Sequence, residues 1–126
     1  MKSNCIFCNP EPSKILFEND LCYSMYDNYP VSPGHILIIP KDHFNDYFCA
    51  TEGEMSAMNE VLSHSRQILY RKNDPDGYNI GINIGKYAGQ TVEHCHIHLI
   101  PRYKGDVRDY KGGVRGVIPE KRNYIK

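Results

Sequence analysis

Apolar and polar positions follow one another along the chain in segments that predict several short strands. Residues 15–17 and 21–26 predict the two strands of a hairpin, with the polar turn 18–20 between them. Residues 35–39 form a nearly continuous apolar run that is closed by Pro40. Such a run is typical of a central strand covered on both faces.

The longest periodic segment predicts an α-helix over about residues 52–72, whose apolar positions recur at helical spacing. Thr51 and Glu54 fit a capping box, in which each side chain bonds to a free backbone amide of the other residue. The turn-forming residues 73–77 end the predicted helix. The apolar positions are Met55, Met58, Val61, Leu62, Ile68 and Leu69.

Two later segments, residues 78–84 and 94–100, alternate with period two and predict further strands. Several strands with one long helix leave too few helices for parallel β-α-β units. The pattern therefore predicts an α+β fold with an antiparallel sheet. Residues from 106 onward are rich in Gly, Lys and Arg without a clear period, and we expect a flexible tail.

The length and the net charge of the chain exclude some classes of protein. The 126 residues favour a single domain over residues 1–126, and the 15 basic residues balance the 15 acidic ones. Zero net charge excludes a broad basic surface for nucleic acid or membrane. No apolar run approaches the roughly 20 residues of a membrane-spanning helix, and the N-terminus lacks the apolar stretch of a signal peptide. We therefore expect a soluble, cytoplasmic protein.

The chain has five cysteines, an odd number that argues against a disulfide framework. Cys5 and Cys8 form a C-x-x-C motif, which presents two of the four ligands of a tetrahedral zinc ion. A thioredoxin-like redox motif is the weaker interpretation, since such a motif lies between a strand and a helix. The other three, Cys22, Cys49 and Cys95, lie among apolar residues and are expected to be buried.

Three histidines, His94, His96 and His98, occupy alternate positions of the last predicted strand. Residues two apart on a strand share a face, so the three imidazoles are expected on one side. Buried imidazoles need hydrogen-bond partners, so three of them on one face are costly as simple core packing. A catalytic or metal-binding role is therefore favoured over a plain polar face exposed to solvent. Residues 89–91, Gly-Gln-Thr, offer a close backbone approach with amide and hydroxyl groups, a mix that suits phosphate oxygens.

The segment 90–100, Q-T-V-E-H-C-H-I-H-L-I, resembles the signature of the histidine triad family, His-x-His-x-His followed by two apolar residues. Segments 27–41 and 83–85 resemble two upstream blocks of that family, in the same order. The resemblance covers about residues 5–103 and leaves 104–126 as a C-terminal tail. It implies about five antiparallel strands with one long and one short helix. It is closer to the fragile-histidine-triad and bacterial nucleotide-hydrolase branches than to the phosphoramidase branch.

The resemblance also implies roles for individual side chains. His96 would attack the α-phosphate of a purine nucleotide to form a covalent nucleotidyl-histidine, which water then resolves. His98 would contact the phosphate and help the leaving group depart. The remaining positions are Gln90 and Thr91 for phosphate oxygens, Asp27 for ribose hydroxyls, Asn83 near phosphate or ribose, His35 behind the triad, and Ile6, Phe7 and Leu21 for the base.

The same resemblance completes the zinc site, because family members with an N-terminal C-x-x-C use two histidines as further ligands. Here these are His43 and the first triad residue, His94, which join Cys5 and Cys8. Four protein ligands would make the zinc structural, with no open position for water. Family members are generally homodimers, and we expect the same of this chain.

Two features lie outside these blocks. His64 on the predicted helix has no matching role and is interpreted as a surface residue. In the tail, one hypothesis is that Lys111 or Arg115 reaches a polyphosphate, in its own subunit or in a partner subunit. The alternative is a plain solvated tail, which we favour.

Three functions are compared. The leading one is a nucleotide phosphohydrolase or nucleotidyl transferase acting on a nucleoside phosphoramidate or a dinucleoside polyphosphate. The second is a zinc-organised nucleotide-binding sensor or adaptor with little turnover. The third is a catalytic zinc hydrolase that uses His94, His96 and His98 as ligands, and it is disfavoured because Cys5, Cys8 and His43 would then lack a cation.

Overall fold

The computed structural model of the protein describes residues 4–124. One antiparallel sheet of five strands packs against one long helix, α1. The strand order across the sheet is β1-β2-β3-β5-β4. The bounds are β1 Phe17–Glu18, β2 Cys22–Tyr26, β3 Ile36–Pro40, α1 Glu52–Lys72, β4 Gly77–Gly81 and β5 Ile97–Arg102. This architecture confirms the α+β prediction. No helix within residues 4–124 is long and apolar enough to cross a membrane.

Helix α1 spans the predicted residues and begins at the predicted capping box. The Thr51 Oγ1 atom accepts from the Glu54 amide at 3.1 Å, and Glu54 Oε1 accepts from the Thr51 amide at 2.9 Å. Two of the orphan amides at the helix start are thereby satisfied. Its apolar stripe, which includes Met58, Val61 and Leu69, is buried against the sheet.

Strand β3 is the central strand, hydrogen-bonded to β2 on one side and to β5 on the other. All five of its residues are buried, as the continuous apolar run predicts. Ile36 and Ile38 face the helix, whereas Leu37 and Ile39 face a second, smaller cluster that contains Phe7. The N-terminal segment thus covers the face of the sheet that α1 leaves free.

Three predicted strands have different bounds in the structure. The first is Phe17–Glu18 rather than 15–17, β4 ends at Gly81, and β5 begins only at Ile97. His94 and His96 therefore precede β5. The backbone bends there because the Cys95 amide donates to the Phe44 carbonyl at 2.7 Å, in a loop, rather than to a neighbouring strand.

The predicted short helix is not an α-helix, since α1 is the only one among the described residues and the other helical segments are 3₁₀ turns. Two of these turns, Gly113–Val117 and Pro119–Lys121, give local structure to a tail that was expected to be flexible. The Arg115 guanidinium donates to the carbonyls of Lys121 and Arg122, which holds the two turns together.

The three cysteines predicted to be buried differ in their environments. Cys22 and Cys95 are buried, and burial raises the pKa of each thiol to about 12. Both therefore stay protonated and unreactive near neutral pH. The prediction is wrong for Cys49, which is exposed because it ends a short 3₁₀ turn, Tyr47–Cys49, on the surface.

Candidate functional site

A cleft of about 340 Å³ opens on the face of the sheet that is turned away from α1. It brings together most side chains singled out in the sequence. Those that line it are Ile6, Phe7, Asp27, His35, Asn83, Thr91, His96 and His98. Met25 and Leu37 form its apolar floor, and they are the outward-facing residues of β2 and β3. Their alternation with helix-facing neighbours along β2 and β3 is the sequence signal that identifies them.

His96 is buried, and its ring is held in one tautomer. The Nδ1 atom lies 2.8 Å from the main-chain oxygen of His94. Since a carbonyl oxygen only accepts, Nδ1 carries the proton and the Nε2 atom has a free lone pair. A neutral imidazole with a free Nε2, beside a cleft, is the form required of a nucleophile.

His98 and His35 form a second oriented pair. The Val31 amide donates to His35 Nδ1 at 3.1 Å, so the proton of that ring is on Nε2. His35 Nε2 lies 3.0 Å from His98 Nδ1 and donates to it, which leaves the His98 proton on Nε2. Burial, and then the rings of His96 and His35, lower the pKa of His98 to about 4. His98 is thus a neutral donor at pH 7.

Asp27 lies where β2 ends, and its carboxylate has a fixed orientation. One oxygen accepts from the Tyr29 amide at 2.8 Å, and the other lies 3.5 Å from His35 Nε2. Potential ligand atoms of Asp27, His35 and His98 lie within 4.8 Å of one another. The bond from His35 Nε2 to His98 Nδ1 already uses these two ring atoms, however, so this group is better suited to hydrogen-bond a ligand than to hold a metal.

Gln90 has a structural position that its sequence context does not reveal. Its Oε1 atom accepts from the Gly85 amide at 2.9 Å, and its Nε2 atom donates to the carbonyls of Asn45 and Val92. The side chain closes the loop that carries Thr91 to the cleft, and it is not part of the cleft lining.

Two other predicted positions lie outside the cleft. Leu21 packs near Gly53 at the start of α1, so the structure does not place it in a base pocket. His64 is exposed on α1, as predicted, and its ring stacks on Phe17 with 4.0 Å between centroids.

A second cluster, the Cys₂His₂ cluster, contains Cys5, Cys8, His43 and His94, whose ligand atoms all lie within 4.8 Å of one another. The separations from sulfur to Nδ1 are 3.2–3.6 Å, and the two Nδ1 atoms are 3.1 Å apart. Zinc–sulfur bonds of about 2.3 Å and zinc–nitrogen bonds of about 2.0–2.1 Å imply about 3.5 Å and 3.3 Å for these edges of a tetrahedron. The cluster therefore fits zinc.

The ring of His94 is oriented for this cluster and not for the cleft. Its Nε2 atom donates to the Pro40 carbonyl at 2.8 Å, which leaves Nδ1 unprotonated as a metal ligand requires. His94, His96 and His98 do not form a ligand group among residues 4–124, so the geometry argues against the three-histidine zinc hydrolase.

Comparisons with known proteins agree with this geometry. A family model described as the HIT domain matches residues 9–105. An uncharacterised HIT-like protein of Methanocaldococcus jannaschii is 37% identical over 86% of this chain and 87% of its own length. A zinc-bound histidine triad family protein from Mycobacterium smegmatis superposes with a TM-score of 0.74 at 32% identity, covering 85% of this chain and 81% of that one. The chain belongs to the HIT, or histidine triad, family.

Two similar proteins have names that state an activity. An adenylylsulfatase of Arabidopsis thaliana is 33% identical over 84% of this chain, and an AP-4-A phosphorylase of Mycobacterium tuberculosis is 28% identical over 76% of it. This chain spans 56% and 50% of those two proteins, respectively. The family thus includes enzymes that process nucleotides.

Proposed function

We propose that this protein is a nucleotide hydrolase or nucleotidyl transferase that acts on an α-phosphate through His96. The observation that carries the proposal is the bond from His96 Nδ1 to the His94 carbonyl, which leaves the Nε2 lone pair available at the cleft. The neutral Nε2–H of His98 lies on the same side as a donor to phosphate oxygen.

The reaction has two displacements at phosphorus. In the first, His96 Nε2 forms a bond to the α-phosphorus, and the bond to the leaving group breaks with its electron pair going to the leaving atom. In the second, water forms a bond to phosphorus and loses a proton to bulk solvent, and the phosphorus–nitrogen electron pair returns to Nε2. Splitting one displacement into two lowers each barrier.

The other residues of the cleft position the nucleotide. The Asp27 carboxylate accepts from the ribose hydroxyls, and Thr91 and Asn83 donate to phosphate oxygens or the ribose. The apolar side chains of Ile6, Phe7 and Met25 contact a purine base. Gln90 acts through the loop that it closes.

Cys5, Cys8, His43 and His94 would hold a zinc ion, which supplies a structural cross-link between the N-terminal segment and the triad segment. All four positions of a tetrahedral ion are then filled by the protein. The cysteines and histidines fix the loop ends, and the reaction itself uses His96 and His98.

The names of the two relatives support adenylyl sulfate and diadenosine tetraphosphate as test substrates, beside adenosine phosphoramidate. Both leaving groups, sulfate and a nucleotide, depart as anions and need no proton. A neutral His98 is suited to such leaving groups because it donates a hydrogen bond without transferring a proton.

A homodimer is the proposed assembly. Strand β4 is an edge strand, and Ile80 on it is half exposed. A second copy that pairs along β4 would cover this edge. Light scattering of the full chain, before and after Ile80→Lys, tests the assembly: the proposal expects a dimer that the variant weakens, and a wild-type monomer contradicts it.

The function is tested with the wild-type chain, His96→Ala and the matched control His64→Ala. Each is mixed with the three substrates, stopped in alkali, and measured by intact mass. We expect an adenylylated wild type and control, and no adduct with a loss of about 10³-fold or more in kcat/KM for His96→Ala. A wild type that binds nucleotides without turning any over would support the sensor instead.

A further inference from the structure

Phe7, which lies between the two cysteines of the Cys₂His₂ cluster, reaches the proposed nucleophile. Phe7 is 5% exposed, and its ring lies edge-on to His96, with 5.0 Å between the ring centroids and 67° between the planes. The same ring lies 5.9 Å from His94 at 89°. Edge-to-face rings at this separation attract each other, so Phe7 contacts a ligand residue and the nucleophile at once.

The Phe7 ring packs in the smaller apolar cluster with Met25, Leu37 and Ile39, and its backbone has a few further anchors. The Cys8 amide donates to the Cys5 carbonyl at 3.2 Å, which closes a tight turn around Ile6 and Phe7. The Tyr23 hydroxyl donates to the Phe7 carbonyl at 2.6 Å. The Asn9 side chain donates to the Cys5 carbonyl at 3.1 Å, and the sulfur atoms of the Cys₂His₂ cluster lie at the two ends of the turn.

The outer side of this turn is open. Ile6 is 61% exposed, and a depression of about 370 Å³ adjoins Cys5, Ile6 and His43. Little protein packs over this outer side, so a cation between the sulfur and imidazole atoms would add a restraint where the packing of Phe7 does not reach.

We propose that Phe7 is a positioning residue that couples occupancy of the Cys₂His₂ cluster to nucleotide binding and to the orientation of His96. The inference rests on the proposed function, since it takes His96 as the nucleophile. A bound cation fixes the cysteine turn, the turn fixes the Phe7 ring, and the ring packs against the imidazole and lines the cleft.

A second connection runs through the main chain, from the His94 ring to its carbonyl and on to His96 Nδ1. That connection does not involve the Phe7 ring. Substitution of Phe7 therefore separates the two routes, whereas removal of the metal affects both.

The experiment measures binding linkage in the full chain under reducing conditions. The affinity for AMP is measured with and without zinc, and the affinity for zinc is measured with and without AMP. Coupling is reciprocal, so both pairs must give the same factor. From the strength of an aromatic contact we expect a factor of about 3–10 in the wild type and a smaller factor in Phe7→Leu, in which only the main-chain connection through His94 remains.

Phe17→Leu is the matched control, because Phe17 also contacts a histidine ring but on the helix side of the sheet. Its coupling should equal that of the wild type. Tyr23→Phe removes the hydrogen bond to the Phe7 carbonyl and should raise the coupling, since the position of the turn then depends more strongly on the cation.

A second readout follows the His96 ring itself by NMR of its nitrogen atoms. Removing zinc should shift the His96 resonances in the wild type and shift them less in Phe7→Leu, which a merely structural role for Phe7 does not predict. Equal coupling and equal shifts in the wild type and Phe7→Leu would overturn the inference. If AMP fails to bind at all, the proposed function fails, and the zinc-dependent shift of His96 still decides the role of Phe7.

Discussion

The Nδ1 atom of His96 lies 2.8 Å from the main-chain oxygen of His94. One residue therefore belongs to both centres: the His94 ring points into the Cys₂His₂ cluster, and its carbonyl holds the tautomer of the proposed nucleophile. His94 and His96 both precede β5, and the backbone bends between them and the strand. The bend allows the His94 carbonyl to reach the ring of a residue only two positions further along the chain. The Cys₂His₂ cluster and the cleft are adjacent in the structure without sharing an imidazole ring.

Replacing Cys8 by Ser should abolish the dependence of stability on zinc. Ligand binding to the folded state stabilises it by RT ln(1 + [L]/Kd), about 2.7 kcal/mol at 100 times Kd. The wild type should gain that amount with zinc, and the variant should gain much less because the buried Cys8 supplies one of the four ligand atoms of the Cys₂His₂ cluster. Urea unfolding with and without zinc measures both values.

Cys49→Ser provides the control, since Cys49 is exposed and is not part of the Cys₂His₂ cluster. Its zinc-dependent stabilisation should match that of the wild type. Equal gains in Cys8→Ser and Cys49→Ser would show that the cation binds elsewhere.

Replacing Asp27 by Asn should weaken nucleotide binding with little effect on kcat. Its carboxylate is partly exposed to the cleft and already oriented by the Tyr29 amide. Hydrogen bonds to charged groups contribute about 1.5–3 kcal/mol, so KM should rise about 10- to 100-fold.

A 2′,3′-dideoxy substrate tests whether the Asp27 effect acts through the ribose. The wild type should lose affinity for it, and Asp27→Asn should lose little more, because the same bonds are already absent. Independent, additive losses would assign Asp27 to another part of the substrate.

Local chemistry allowed part of this structure to be predicted. The capping box at Thr51 and the apolar period after it define α1, and the continuous apolar run defines β3, because both signals depend on neighbours in sequence. The four residues of the Cys₂His₂ cluster and the cleft position of His96 followed from motif resemblance.

Other features depend on contacts between distant segments. The bend before β5 results from the Cys95 amide bonding to Phe44, and Gln90 reaches the carbonyl of Asn45. Leu21 and Phe7 are both apolar, yet only Phe7 lies in the cleft, since the N-terminal segment folds over one face of the sheet. No local pattern encodes such partners.

Gly34 precedes His35 and should not tolerate a side chain. Its φ of +91° is unfavourable for other residues, and an added Cβ would lie 2.6 Å from the Leu69 side chain. Gly34→Ala should cost about 2–4 kcal/mol of unfolding free energy, from backbone strain and overpacking together. Gly81→Ala is the control, because its Cβ would meet nothing within 4 Å. Similar costs for both variants in urea unfolding would contradict this explanation.

Stability should fall in acid partly because His98 resists protonation. Its pKa in the folded protein is about 4, because of burial and then the rings of His96 and His35, against 6.5 for a free histidine. The unfolded chain thus binds more protons between these two values, and stability declines as pH falls from 6.5 towards 4. The cost is absent above that window and reaches about 3 kcal/mol below it.

His98→Asn removes the titrating group while its side-chain oxygen can still accept from His35 Nε2. The variant should lose about 3 kcal/mol less than the wild type across the window. Urea unfolding at both ends of the window measures this, with a chelator in every sample so that zinc release contributes equally. His64→Asn changes an exposed histidine and should follow the wild type. Parallel pH curves for the wild type and His98→Asn would mean that other groups cause the acid loss, and that His98 is not held neutral by its burial.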